Sequence, residues 1–120
     1  MTGVQTCALP ISPLSRRVFE ACEHLIATAA RLCAEAGATL VVVGNPDVDM
    51  LDPSRRLDIR QLAPDPDSYD PGRPDREMAA ACRRHGVGFY SLADRLCGPV
   101  HLPEDCHWSV SGHQIGRAHV

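Results

Sequence analysis

Apolar positions recur at helical steps in two stretches of this chain, and each stretch is followed at once by a glycine and a short apolar run. In the first, Val18, Cys22, Leu25, Ala29, Leu32 and Ala36 fall at three- and four-residue intervals, while Arg16, Arg17, Glu20, Glu23 and Arg31 fall largely on the other side. Ser12 ahead of Pro13 supplies an N-cap and a proline at the first helical position, and Gly37 supplies the stop. The spacing predicts a long amphipathic helix over Ser15 to Ala36, with His24 on its surface. Ala38-Thr-Leu-Val-Val-Val-Gly then reads as a parallel strand covered on both faces, because it is continuously apolar and β-branched rather than alternating.

The second stretch repeats the order. Pro74 to His85 begins with proline, carries Asp75 and Glu77 in its first turn, turns Met78, Ala81 and Cys82 inward, and ends on Arg83 and Arg84 before Gly86. Val87-Gly-Phe-Tyr-Ser is the next strand, and Leu92 to Leu96 a short helical turn. Helix, glycine and strand twice over argue for a parallel sheet with right-handed crossovers. Gly44-Asn45-Pro46 ends the first strand. Asn45 reads chiefly as a turn residue, although ligands of open α/β sheets gather beyond the carboxyl ends of strands.

Between the two units, Asp47 to Asp75 is rich in Pro and Asp and has no hydrophobic period, with Asp52-Pro53 able to open a short helix through Leu57. Its carboxylates Asp47, Asp49, Asp52, Asp65, Asp67 and Asp70 lack the turn glycine and closing glutamate of an EF-hand loop, so a solvated acidic loop is the favoured reading over calcium.

The densest chemistry lies at His101-Leu-Pro-Glu-Asp-Cys-His-Trp-Ser-Val-Ser-Gly-His113. An acid two residues before a histidine, on a loop ahead of a helix, suits a carboxylate that fixes the imidazole tautomer while the imidazole moves a proton. Asp105 and His107 are the candidate pair, with Glu104 the alternative acid. Ser109 is the expected N-cap of a last helix, and Ser111 with Gln114 a second capping possibility. Cys97, His101, Cys106, His107 and His113 also invite a metal-binding reading, but the spacing Cys-x3-His-x4-Cys-His-x5-His matches no zinc pattern.

Asp-Cys-His-Trp-Ser-x-x-Gly-His resembles the last conserved block of the SGNH (GDSL-type) hydrolase and acetyltransferase superfamily. The resemblance implies a flavodoxin-like three-layer α/β/α sandwich with parallel strands, of which this chain would be the C-terminal part. It implies that His107 is the general base and Asp105, or Glu104 at the longer family spacing, its support. It also implies an acyl ester or an acetylated carbohydrate as substrate, with no cofactor and no metal. None of Ser54, Ser68, Ser91, Ser109 and Ser111 stands in the family's Gly-Asp-Ser context. The nucleophile and oxyanion donors are therefore expected on a missing N-terminal half of the domain, and the chain alone is expected to be inactive. A non-catalytic, carbohydrate-binding relative of the same fold is the other reading.

The ends modify the domain picture. Met1 to Ile11 resembles a translated sequencing adapter, and Ile115 to Val120 its reverse complement, which leaves 12–114 as the expected native part. Without Cys7, five of the six cysteines remain, an odd number that does not support a full disulfide framework. Cys22, Cys33 and Cys82 read as small helix thiols among Ala and Leu, whereas Cys97 and Cys106 flank the candidate site, where a disulfide between them is the less favoured reading. Twelve basic residues, all arginine, against fifteen acidic ones give a formal charge of −3 and no basic face for nucleic acid. No apolar run is long enough to span a bilayer.

Overall fold

The computed structural model describes residues 12–52, 54, 60–62, 65, 67, 69–96, 100–102 and 107–119, with only the backbone of 115, 116, 118 and 119. The helix of Pro13–Glu35 (α1) starts where the sequence places it. Ser12 is extended at the cap and its hydroxyl oxygen accepts from the Ser15 amide at 3.1 Å. The helix ends at Ala36, beyond which Gly37 takes φ +70°, a value L side chains rarely adopt. Val41–Gly44 (β1) and Gly88–Ser91 (β2) form a parallel pair in the register Val41 to Gly88 through Gly44 to Ser91. Between them lie Val48–Leu51 (α2) and Arg73–Arg84 (α3), the latter ending before Gly86 at φ +66°. Val110–His119 (α4) closes the described chain. This is a mixed α/β fold with a parallel sheet.

α3 holds the molecule together, because it packs on α1, on β2 and on β1. Its Ala81 and Cys82 are buried, and Val87 follows them into the core. The second cluster, Leu92, Leu96 and Val100 with Leu51 and Trp108 against it, ties the carboxyl end of the sheet to the His101 loop. Gly44 and Phe89 share the face under α3. A Cβ at Gly44 would stand 2.7 Å from the Phe89 ring and 3.1 Å from Asp75 Oδ1, so the strand must be smooth there.

α1 departs from the expected single inward stripe. None of its residues is fully buried: Phe19, Cys22, Ile26, Ala29 and Cys33 are half-buried, while Val18, Leu25 and Leu32 stay more than half exposed. Among the described residues the sheet has two strands, and neither lies beneath α1. Among the described helices only α3 packs on β1, so β1 is covered on one face. Its other face, with Val41, Val43 and Tyr90, is open to solvent.

The Pro- and Asp-rich stretch contains a helix that periodicity does not reveal. Asp47 accepts from the Val48 amide at 2.7 Å and starts α2, whose Val48 is buried. Most of the helix expected through Leu57 lies outside the described residues. α4 continues across Gln114 to His119. No described helix is long and apolar enough to cross a membrane.

Candidate functional site

β1 delivers Asn45 to the carboxyl end of the sheet, and the His101 loop is folded back over the same end. Two short backbone links close that loop. Leu102 N–H donates to the His107 carbonyl at 2.8 Å, Ser109 N–H donates to the Val100 carbonyl at 2.8 Å, and His101 bridges antiparallel to Trp108. His107 is an exposed bend residue, held through its carbonyl just ahead of the bridge residue Trp108 and the start of α4.

The Ser-x-x-Gly-His run has a physical explanation in this closure. Ser109 Oγ accepts from the Gly112 amide at 3.1 Å, the N-cap bond expected from the sequence, and donates to the Val100 carbonyl at 3.1 Å. Gly112 is buried against the same carbonyl, where a Cβ would lie 3.0 Å from the carbonyl carbon and 3.2 Å from Val100 Cα and would overlap the oxygen. His113 then brings its ring to 5.7 Å from Trp108 at a tilt of 59°. Ser111 is exposed inside α4 and is not the cap.

These elements border an open cleft of about 610 Å³ whose described lining is Asn45, Pro46, Asp47, His107, Trp108 and His113. The volume suits a small ester or one sugar ring with its acyl group. Asn45 therefore does more than end the strand, because its position also carries it into the cavity that holds His107. The acids assigned to His107, Asp105 and Glu104, lie outside the described residues, as do Cys97 and Cys106. Of the sequence-predicted site, the structure brings His107 and His113 to one cleft, and His101 is bridged to Trp108 without joining its described lining. His101 Nε2 is buried with no hydrogen-bond partner.

A neighbouring cavity of about 310 Å³ shares Asn45 and Asp47 and is otherwise lined in part by Asp49, Tyr69, Asp70 and Asp75. Its carboxylates are engaged within the chain. Tyr69 donates to Asp49, Arg76 pairs with Asp70, and the Ser91 hydroxyl donates to Asp75. Ser91 also accepts from the Ala93 amide at 3.2 Å, so it organises the turn after β2. Among the described residues no three His, Cys, Asp or Glu side chains converge as metal ligands.

The strongest electrostatic feature is remote from the cavity. Glu23 on α1 accepts from Arg84 Nε and Nη2 at 2.8 and 2.6 Å, with His85 Nε2 at 3.0 Å. The Arg84 hydrogen bonds, then that from His85, hold the Glu23 carboxyl down to about 2. This pairing clamps α1 to α3 and supports the platform, not the site.

Comparison of the chain with protein-family models, with curated proteins and with solved structures returns no match.

Proposed function

We propose that this chain carries the base half of a serine ester hydrolase or O-acyltransferase of the SGNH type. The observation that supports the reading is the cavity at the carboxyl end of a parallel strand in which His107, Trp108 and Asn45 meet. His107 is the general base, with Asp105, or else Glu104, donating nothing but a fixed acceptor for its Nδ1–H. A serine supplied by polypeptide other than this chain attacks the acyl carbon, and its proton passes to His107 Nε2. Collapse of the tetrahedral intermediate breaks the ester C–O bond, and His107 returns the proton to the leaving alcohol oxygen. Water or an acceptor hydroxyl then attacks the acyl-serine by the same route, which regenerates the serine.

An acetylated carbohydrate fits the cavity best among acyl esters. Trp108 offers a half-buried aromatic face for a sugar ring, and Asn45 and Asp47 offer hydrogen-bonding groups to its hydroxyls. The same lining suits a non-catalytic carbohydrate-binding relative, and the two readings separate on whether acyl transfer depends on His107.

Titration with an O-acetylated methyl glycoside tests the site. The Trp108 indole and His107 ring signals are expected to shift saturably, and Trp108→Ala to abolish the shift. Shifts confined to other residues, or none at tens of millimolar glycoside, overturn the assignment. With p-nitrophenyl acetate, the chain alone is expected to show no turnover that His107→Ala removes, because the nucleophile is not on it. Turnover lost in His107→Ala contradicts that division of the site.

A further inference from the structure

Asn45 and Asp47 stand in two hollows at once. They line the His107 cleft and also the neighbouring pocket of about 310 Å³, so the two compartments meet at side chains that the backbone reaches directly after β1. Each compartment has one aromatic wall. Trp108 serves beside His107, and Tyr69 takes the equivalent part in the second pocket, half-buried with Met50 and Pro71. The Tyr69 hydroxyl donates to Asp49, which holds the ring in place as a preformed apolar surface. A sugar ring is recognised by such a surface against its C–H face and by polar groups around its hydroxyl rim, and the second pocket supplies both. Its volume lies at the lower end of the range for small-ligand pockets, about 300–1,000 Å³, and gives room for one further ring.

Charge distinguishes the two compartments. The cleft contains the imidazoles of His107 and His113, whereas the described lining of the second pocket includes the carboxylates of Asp47, Asp49, Asp70 and Asp75 and no Arg or His. Arg76 pairs with Asp70, and the amino end of α3 lies beside Asp70 and Asp75, so part of that charge is offset. The remaining contacts come from neutral donors: the Val48 amide to Asp47 at 2.7 Å, the Tyr69 hydroxyl to Asp49 and the Ser91 hydroxyl to Asp75. An anionic ring entering here meets an excess of like charge in a hollow partly screened from water. A neutral ring finds acceptors for its hydroxyls. An ammonium finds those acceptors and the face of Tyr69 as well.

We propose that the substrate is an oligosaccharide spanning both compartments, with the acylated ring on Trp108 beside His107 and its neighbour on Tyr69, where the pocket favours an amino sugar over a neutral one and rejects a uronate. Asn45 and Asp47, common to both linings, are placed to hydrogen-bond hydroxyls on either side of the glycosidic link. The inference rests on the reading of the His107 cleft as a site for an acylated sugar. What it adds is the length and the charge of the chain that the site accepts.

Side-chain and amide NMR titrations of the whole chain test it, comparing an O-acetylated methyl glucoside with methyl cellobiosides acetylated on either ring. Two further cellobiosides carry a 2-amino group or a uronate carboxylate on the unacetylated ring. The neutral disaccharide is expected to bind at least tenfold more tightly than the monosaccharide and to shift Tyr69 and Met50 signals that the monosaccharide leaves in place. At low salt the amino form should bind at least threefold more tightly than the neutral one and the uronate at least threefold more weakly, both differences shrinking at about 1 M salt. Tyr69→Ala is expected to bring the disaccharide down to the native chain's affinity for the monosaccharide, and Tyr69→Phe, which keeps the ring, to retain most of the gain. Asp47→Asn keeps an acceptor for the Val48 amide and is expected to narrow the amino-to-uronate ratio at least twofold. Shifts at Trp108 and His107 with no gain from the second ring, no response at Tyr69, or a uronate bound as tightly as the neutral disaccharide overturns this proposal and leaves the cleft assignment standing. Absence of any shift at Trp108 with either glycoside overturns the cleft assignment, and this inference with it.

Discussion

Gly112→Ala sets two physical effects against each other and gives them opposite signs. Alanine is the better helix former by about 0.8–1.0 kcal/mol, so propensity alone predicts stabilisation of α4. The structure predicts the reverse, because the added methyl group would meet the Val100 carbonyl, a backbone group that cannot rotate aside. That carbonyl is held by Ser109 N–H at 2.8 Å and Ser109 Oγ at 3.1 Å, so moving it weakens two hydrogen bonds of about 0.5–1.5 kcal/mol each. Overpacking adds a cost of about 1–3 kcal/mol, and after the propensity gain the net destabilisation is about 1–5 kcal/mol. At a urea slope of about 1.5 kcal/mol per molar, the midpoint falls by about 0.7–3 M. Trp108 is the only tryptophan of the chain and packs beside Val100, so its fluorescence reads the transition at the site itself. A midpoint that rises by about half a molar, as propensity requires, would falsify the close approach of α4 to the His101 loop.

Three further outcomes follow from the same structure. Ser109→Ala removes the cap on Gly112 and the tie to Val100, and is expected to cost about 0.5–2 kcal/mol in the same urea assay; an unchanged midpoint refutes the capping role. Glu23 is held below the ordinary carboxylate range in the folded chain, so its contribution is complete above about pH 4.5 and is lost as pH falls toward about 2. Amide exchange at the α1–α3 contact should accelerate across that window in the native chain and not in Glu23→Gln, and parallel pH profiles would refute the clamp. Cys82 is fully buried, and burial pushes its thiol up, so iodoacetamide at pH 8 should alkylate the half-buried Cys22 and Cys33 well before it. Equal rates for all three thiols would contradict the core position of Cys82.

Much of the fold was legible because its signals are local. Ser12-Pro13, Gly37 and Gly86 bracket α1 and α3 by capping and left-handed turns, and β-branched Val41 to Val43 declare a strand without reference to the rest of the chain. The Ser109 cap was legible for the same reason. What sequence could not supply was tertiary. The 3.6-residue period of Val18, Leu25 and Leu32 marks an apolar face but cannot say whether anything lies against it. α2 escaped notice because four residues are too few to show a period, and only the Asp47 cap betrays it. Asn45 has the chemistry of a turn residue, and its place in the His107 cavity comes from the loop folding back over β1, a contact across some sixty positions that no spacing encodes. A hint existed in its location just past a parallel strand, where sites of open α/β sheets collect.

Whether a carboxylate governs the His107 ring is read most directly from long-range nitrogen–proton correlations of the histidine side chains, compared among the native chain, Asp105→Asn and Glu104→Gln. The account predicts a native His107 locked with its proton on Nδ1, and a mixture of tautomers once the supporting acid is lost, from Asp105→Asn or, at the longer spacing, from Glu104→Gln. A His107 ring protonated on Nε2, or one whose tautomer balance neither substitution alters, would contradict it.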